Sequence, residues 1–365
     1  MVLTAQSSRV GRPRVGLVLG AGGVLGAAWM AGALNAVQQR LDRRLCDVDM
    51  IVGTSAGSVM GAALRCGVEI DAILAHQRGT ALITLPHLAE LDRDSGRLPP
   101  LPRLRFGSPR LLASTARAPH RMHPWVAASA LMLEGRAQHR SLASLVHALL
   151  AQSVAAQSVA AQSVAAAPAG IRSVEVRSVG VQSVGIGSAA TLDWPHRPIW
   201  IVAVDYESGR RMVFGRAGSP VVSLPDAVVA SCSIPGWYEP KRIGDRRYID
   251  GGVRSNTSLD VLASAELDHV YVLAPMASLD SDSPRNPVRL PERLVRQYLT
   301  RGLAGEVHKV EASGARVTVL TPGPEDLVAF GVNLMDPARR ELVLETSLRT
   351  SPARLAALDQ RGHAA

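Results

Sequence analysis

The stretch from Val15 to Gly57 constrains this chain more than any other. "VGLVLG" is a short, wholly apolar run ending at glycines, the pattern of a strand buried on both faces. Next come "GAGGVLG", a segment from about Gly26 to Arg40 with helical spacing of apolar residues, and a second apolar run, "DMIVG". Strand, glycine loop, helix and strand in succession predict a βαβ unit, with two parallel neighbouring strands and a right-handed crossover. The loop after the first strand and the turn after the second then leave the same edge of the sheet. Gly20 to Gly26 and Ser55 are therefore expected to meet in space.

Gly53-Thr54-Ser55-Ala56-Gly57 fits the G-x-S-x-G pattern of a serine presented on a sharp strand-to-helix turn. A serine hydroxyl is a poor nucleophile until a base accepts its proton, and the usual base is a histidine held by a carboxylate. His269 and His308 follow in the order an α/β-hydrolase triad would need, although His269, beside the strand "HVYVLAP", reads as structural. His120 and His123 are expected at the surface. Taken singly the motifs are ambiguous. Thr54-Ser55 also suits a helix cap, "GAGGVLG" misses the spacing of a dinucleotide loop, and Asp250-Gly251-Gly252 suits a plain turn. Together, unshielded glycine amides beside a serine at a helix start meet the needs of acyl transfer: donors for an oxyanion and a nucleophile within reach. An inactive scaffold on the same framework is the alternative from another class.

Beyond Gly57 the order of elements predicts a three-layer α/β/α sandwich with a mainly parallel central sheet. A helix is expected near Glu69 to Gly79, a strand-turn-strand in "PIWIVAVDYESGRRMVFG", and a helix in "PDAVVASC" that stops before Pro235. "RRYIDGGV" follows, then strands are expected at "HVYVLAP" and "RVTVLTP", with helices over about 291–312 and 336–348. Residues 1–13 read as an N-terminal tail, 14–348 as the domain and 349–365 as a C-terminal tail. Two segments interrupt the domain. Residues 95–150 form a basic, Pro/Arg-rich, lid-like region, and 151–190 a low-complexity insert with serines at 153, 158, 163, 173, 178 and 183. A period of five matches neither helix nor strand, so this insert should offer no continuous core face and is expected to be disordered or loosely helical, with no chemistry of its own.

The formal charge is +9, and residues 95–150 hold eight arginines against one acid, Glu134. Aromatic residues make up only 4%, too few for stacking platforms, and no nucleic-acid motif accompanies the charge, so nucleic acid is excluded as a partner. Arginines interleaved with Leu101, Leu104 and Phe106 suit contact with an anionic membrane surface. Cys46, Cys66 and Cys232 lack the density of a disulfide scaffold and the spacing of a metal site, which fits a reduced, cytoplasmic protein without a metal. The uncharged run from Val15 to Gln39, preceded by arginines, has the hydropathy of an export signal or a span. Its six glycines between Gly16 and Gly32 weaken any such helix.

"LVLGAGGVLGAAWMAGAL", "IVGTSAGS", "AVVASCSIPGWYEPKRIGDRRYIDGGV" and "FGVNLMD" resemble, in order, the blocks of bacterial patatin-like phospholipases. The likeness covers about 14–80 and 197–345 and leaves the basic tract and the repeat unmatched. It implies a serine-aspartate dyad without histidine or cofactor, acting on carboxylic esters of lipids or phospholipids as a phospholipase A or lysophospholipase. Ser55 would be the nucleophile, Asp250 the base, and Gly22, Gly23 and Val24 the oxyanion-hole amides. Gly20, Gly26, Gly53, Gly57, Gly251 and Gly252 complete the motifs. One departure is Leu25, where the family's glycine loop usually carries Arg or Lys.

Overall fold

The computed structural model describes residues 12–41, 43–80, 100–118, 120, 122–165, 194–280 and 290–363. Strand β1 (Val15–Leu19), helix α1 (Gly23–Leu41) and strand β2 (Met50–Thr54) form the expected βαβ unit, with Leu17 in parallel register with Ile51. Helices α2 (Ala56–Arg65) and α3 (Ile70–Gln77) follow. Further along stand β5 (Ile199–Asp205), β6 (Arg211–Phe214), α7 (Leu224–Cys232), β7 (Lys241–Ile243) and β8 (Arg246–Asp250). The domain closes with β9 (His269–Leu273), α8 (Leu290–Glu311), β10 (Arg316–Leu320), α9 (Pro324–Phe330) and α10 (Arg340–His363).

The main sheet runs β10-β9-β1-β2-β5-β8-β7, with β6 also on β5. The pairs from β10 to β5 are parallel, and β6, β7 and β8 are antiparallel additions. Alternate residues of the central strands feed two cores, as a sheet covered on both faces requires. Leu17, Leu19 and Ile51 pack towards α1, α2 and α7, whereas Val18, Val52 and Val272 pack towards α8 and the segment 259–264. The three-layer α/β/α sandwich expected from the sequence is thus the fold of the chain.

Two expected boundaries differ. The last helix, read as ending near Leu348, continues to His363 and passes through Pro352. Val343, Leu344 and Leu355 are buried on it, and the Ser347 hydroxyl donates to the Trp29 carbonyl at 2.7 Å. Residues 349–363 are therefore part of a helix docked on α1 and not a tail. The repeat, in turn, starts as helix: α6 (Arg140–Ala165) carries its first fifteen residues, 151–165. The remainder of the repeat, the N-terminal tail up to residue 11 and residues 81–99 lie outside the described residues.

The basic tract is structured from residue 100 onward. Strands β3 (Arg103–Phe106) and β4 (Leu133–Glu134) form a small ribbon, and α4 (Pro109–Arg117) and α5 (Pro124–Leu131) pack on Tyr206 through Leu111, Val126 and Ala130. Ser108 caps α4 by accepting from the Leu111 amide. Buried Glu134 gathers Arg103 at 3.0 Å, Arg247 at 3.2 Å and Arg105 at 3.9 Å. Part of the tract's arginine content thus satisfies one buried carboxylate.

Candidate active site

Ser55 and Asp250 are far apart in sequence but flank a single strand. The registers set Thr54 opposite Val202 and Asp250 opposite Ala203, so the end of β2 and the end of β8 reach the same level on either side of β5. Both residues are 5% exposed. The Ser55 hydroxyl faces the Asp250 carboxylate and favours its ionised form, and Asp250 Oδ1 accepts from the Gly252 amide at 2.7 Å. Burial pushes the Asp250 pKa up to about 6, and the neighbouring Ser55 hydroxyl and Gly252 amide hold it below where burial alone would put it.

Ser55 adopts φ 53° and ψ −123°, a conformation a non-glycine residue keeps only when its surroundings enforce it. Its amide donates to Ser231 Oγ at 2.8 Å, and Ser231 donates in turn to the Val202 carbonyl at 2.6 Å. Its carbonyl accepts from the Ser58 amide at 2.7 Å and the Ser58 hydroxyl at 2.6 Å. The spacing G-x-S-x-G follows from close approach. A Cβ on Gly57 would lie 2.0 Å from the Leu19 carbonyl oxygen, so α2 can rise from the elbow only with glycine there. Gly53 lies at the end of β2, just before the elbow.

The glycine loop sits beside this elbow. Gly20 and Ala21 donate their amides to Leu273 and Asn256, while Leu25 and Gly26 donate to Leu334 and Gly22. Between them, the amides of Gly22, Gly23 and Val24 have no hydrogen-bond partner among the described residues. They cluster at the N-terminal end of α1, where the helix dipole favours negative charge. Gly23 makes the turn at φ +62°. Leu25, at the position of the missing cation, is fully buried. Gly251 and Gly252 turn the chain away from β8.

Two cavities meet at Ser55. An apolar one of about 150 Å³ runs between helices and is lined by Val24, Val59, Ala63, Ile73, Leu142 and Leu145, among others. A wider cleft of about 860 Å³ holds Ser55 and Asp250 together with Gly22, Gly23, Arg254 and Glu306. The sequence-predicted serine, aspartate and oxyanion glycines are therefore brought to one place. His269 and His308 line neither cavity. His269 pairs with the Thr318 hydroxyl at 2.8 Å, and burial pushes its pKa down to about 4.

Sequence reasoning missed several groups here. His123, expected at the surface, is half-buried in the cleft wall, with Nε2 3.2 Å from the Tyr298 hydroxyl. His139 lines the apolar cavity, stacked on Tyr238 at 3.6 Å with Nε2 2.9 Å from the Cys232 carbonyl. Glu306 accepts from Ser255 Oγ at 2.5 Å, Thr257 Oγ1 at 2.7 Å and the Leu259 amide at 2.9 Å, which fixes the loop after Asp250. Nothing in the spacing of these residues announces them, because their roles depend on tertiary contacts.

The model of the patatin-like phospholipase family matches residues 17–169 and 193–263, more than half of the chain. The chain belongs to the patatin-like phospholipase family. This match runs through the basic tract and into the repeat, wider there than the sequence blocks suggested, and it leaves out 170–192 and everything after 263, including "FGVNLMD". Among solved structures, VipD from Legionella pneumophila is similar at 13% identity and a TM-score of 0.42, over 95% of this chain and 67% of that one. The type III effector ExoU is similar at 17% identity and a TM-score of 0.36, over 95% of this chain and 53% of that one. ExoU in its heterodimeric complex with SpcU, from the type III secretion system of Pseudomonas aeruginosa, gives 20% identity and a TM-score of 0.36, over 93% and 53%. The patatin-like chain thus spans about half the length of ExoU.

Proposed function

We propose that this patatin-like protein hydrolyses carboxylic esters of lipids, of phospholipase A or lysophospholipase type, through Ser55 and Asp250. The observation that carries the reading is a serine held on a strained elbow, Ser55 at φ 53°, in one cleft with a buried aspartate, Asp250, whose pKa is raised to about 6. Ser55 Oγ attacks the ester carbonyl carbon while its proton passes to Asp250. The carbonyl oxygen becomes an oxyanion facing the unpartnered amides of Gly22, Gly23 and Val24. Collapse expels the alcohol, which takes the proton from Asp250 and leaves an acyl-enzyme. Water, giving its proton to Asp250, attacks that ester, and breakdown of the second tetrahedral intermediate returns the proton to Ser55 and releases the fatty acid. The apolar cavity beside Ser55 receives the acyl chain.

The site is reached from a lipid surface in this reading. Leu101, Leu104 and Phe106 are 84%, 97% and 56% exposed on and beside β3, with exposed Leu131 and Met132 next to them. Apolar side chains among arginines suit peripheral contact with an anionic membrane from the cytoplasm, with 95–150 serving as the lid-like, docking part of a domain spanning 14–348 and extended by α10. No helix among the described residues is long and apolar enough to cross a membrane.

A fluorophosphonate probe tests the nucleophile. Labelling of the native protein that disappears in Ser55→Ala is expected; an unlabelled native protein, correctly folded, would point to an inactive scaffold.

A further inference from the structure

A third cavity adjoins the cleft and has a different character. It measures about 630 Å³ and is lined by Arg210, Arg211, Arg216, Arg254 and a single carboxylate, Asp260. Asp260 is already engaged: Arg211 holds it through two hydrogen bonds of 2.6 and 2.8 Å. Arg216 lies over the Trp200 ring at 5.4 Å from its centroid. Neither Arg210 nor Arg254 has an ion pair among the described residues. The cavity thus carries several uncompensated positive charges.

Its position gives this charge a use. Arg211, Arg254, Asp260 and His123 line both this cavity and the cleft that holds Ser55 and Asp250, so the two spaces are continuous. Arg254 follows Asp250 by one short turn, Gly251–Val253, and its backbone N–H is fixed by the Gly251 carbonyl. The charge of Arg254 acts on groups across the cavity, lowering the pKa of both His123 and Asp260 as a minor contribution. The glycine loop offers no cation of its own, because Leu25 is buried. A guanidinium presents paired N–H donors that match phosphate oxygens.

We propose that this basic cavity binds a phosphate group, with Arg254 as its principal ligand and Arg210 and Arg216 in support, and that the phosphate is the headgroup of the ester undergoing cleavage. The assignment deepens the reading of Ser55 as nucleophile and rests on it: with the acyl chain in the apolar cavity and the ester at Ser55, a phosphodiester a few bonds from that ester extends towards Arg254. Arg254 then sets specificity and takes no part in bond breaking.

The test compares native protein, Arg254→Gln and Arg254→Lys on a short-chain phosphatidylglycerol below its micelle concentration and on p-nitrophenyl butyrate. Loss of a charge-assisted hydrogen bond should lower kcat/KM for the phospholipid about tenfold or more beyond any change for the neutral ester, mainly through KM, with partial recovery in Arg254→Lys. An unchanged ratio between the two substrates overturns the site. Calorimetric titration of Ser55→Ala protein with dihexanoyl phosphatidic acid and with inorganic pyrophosphate reads binding without turnover, so a failed catalytic reading is told apart from a failed headgroup site. Binding of the lipid that weakens tenfold on adding Arg254→Gln supports the headgroup; tighter binding of pyrophosphate, lost in the same variant, assigns the phosphate site to a soluble anion. Binding of neither overturns the proposal.

Discussion

Asp250→Asn should do two opposite things, and their pH dependence is set by one number. The Asp250 pKa is raised from 3.8 to about 6 in the folded protein, chiefly by burial. A raised folded-state pKa means that the native state holds this proton more tightly than the unfolded chain does. The associated stability is fully present below pH 3.8 and is lost as pH rises through about 6. Roughly two pKa units correspond to about 3 kcal/mol by which the ionised carboxylate weakens the fold above that window. Asparagine keeps the shape and an acceptor for the Gly252 amide but carries no charge to desolvate. The variant should therefore be more stable than the native protein by about 1 to 3 kcal/mol at pH 8, with the advantage vanishing near pH 4. Denaturant unfolding of both proteins at a series of pH values measures this directly. Glu306, also buried with a raised pKa, titrates alike in both proteins and drops out of the difference. Ester hydrolysis should move the other way: native kcat/KM rises with pH through about 6 as the base ionises, and the variant is inactive throughout. A pH-independent stability difference, or an Asp250→Asn protein less stable than native at pH 8, would refute the desolvated-base argument.

Two further substitutions probe the surroundings of the dyad. Ala63→Phe places a ring in the apolar cavity beside Ser55, so hydrolysis of long-chain esters should fall at least tenfold relative to p-nitrophenyl acetate, at a stability cost of about 1–3 kcal/mol from overpacking. Equal losses on long and short chains would show that the cavity does not hold the acyl group. Leu104→Ser combined with Phe106→Ser removes exposed apolar area without touching the ion pairs of Glu134, and should weaken sedimentation with anionic vesicles while soluble-ester turnover is kept. Unchanged vesicle binding would leave the ribbon without a docking role.

The parts of this site that were legible in the sequence are those in which the backbone itself is constrained. Gly57 cannot carry a Cβ against the Leu19 carbonyl, and Gly23 must turn at positive φ, so spacing records geometry and Ser55 was found from its neighbours. The βαβ unit was legible for a related reason, since strands buried on both faces are apolar runs with little ambiguity. The end of α10 was misread because Pro352, which lacks an amide for the helix ladder, looks like a stop, although burial of Leu355 against the domain carries the helix past it. The helical start of the repeat has a separate reason: its period offers no core face, but α6 is already anchored by Leu142, Leu145 and Leu149, and a helix once started extends cheaply.

Charge was the least legible property, because a sequence shows how many arginines there are and not what each one faces. The count drew attention to Arg103 and Arg105, yet these turn towards the buried carboxylate of Glu134. Arg254 stood outside the basic tract, four residues beyond Asp250, and nothing in its surroundings marked it. Its place in the cleft that holds Ser55 and Asp250, without an ion-pair partner among the described residues, is what marks it. Its neighbour Asp260 is held by Arg211, and Asp250 accepts from the Gly252 amide, so neither nearby acid pairs with Arg254. An unpaired charge at a cleft mouth costs little while water solvates it and becomes valuable when an anion displaces that water, so substrate selectivity should depend on Arg254 more than on the arginine-rich tract.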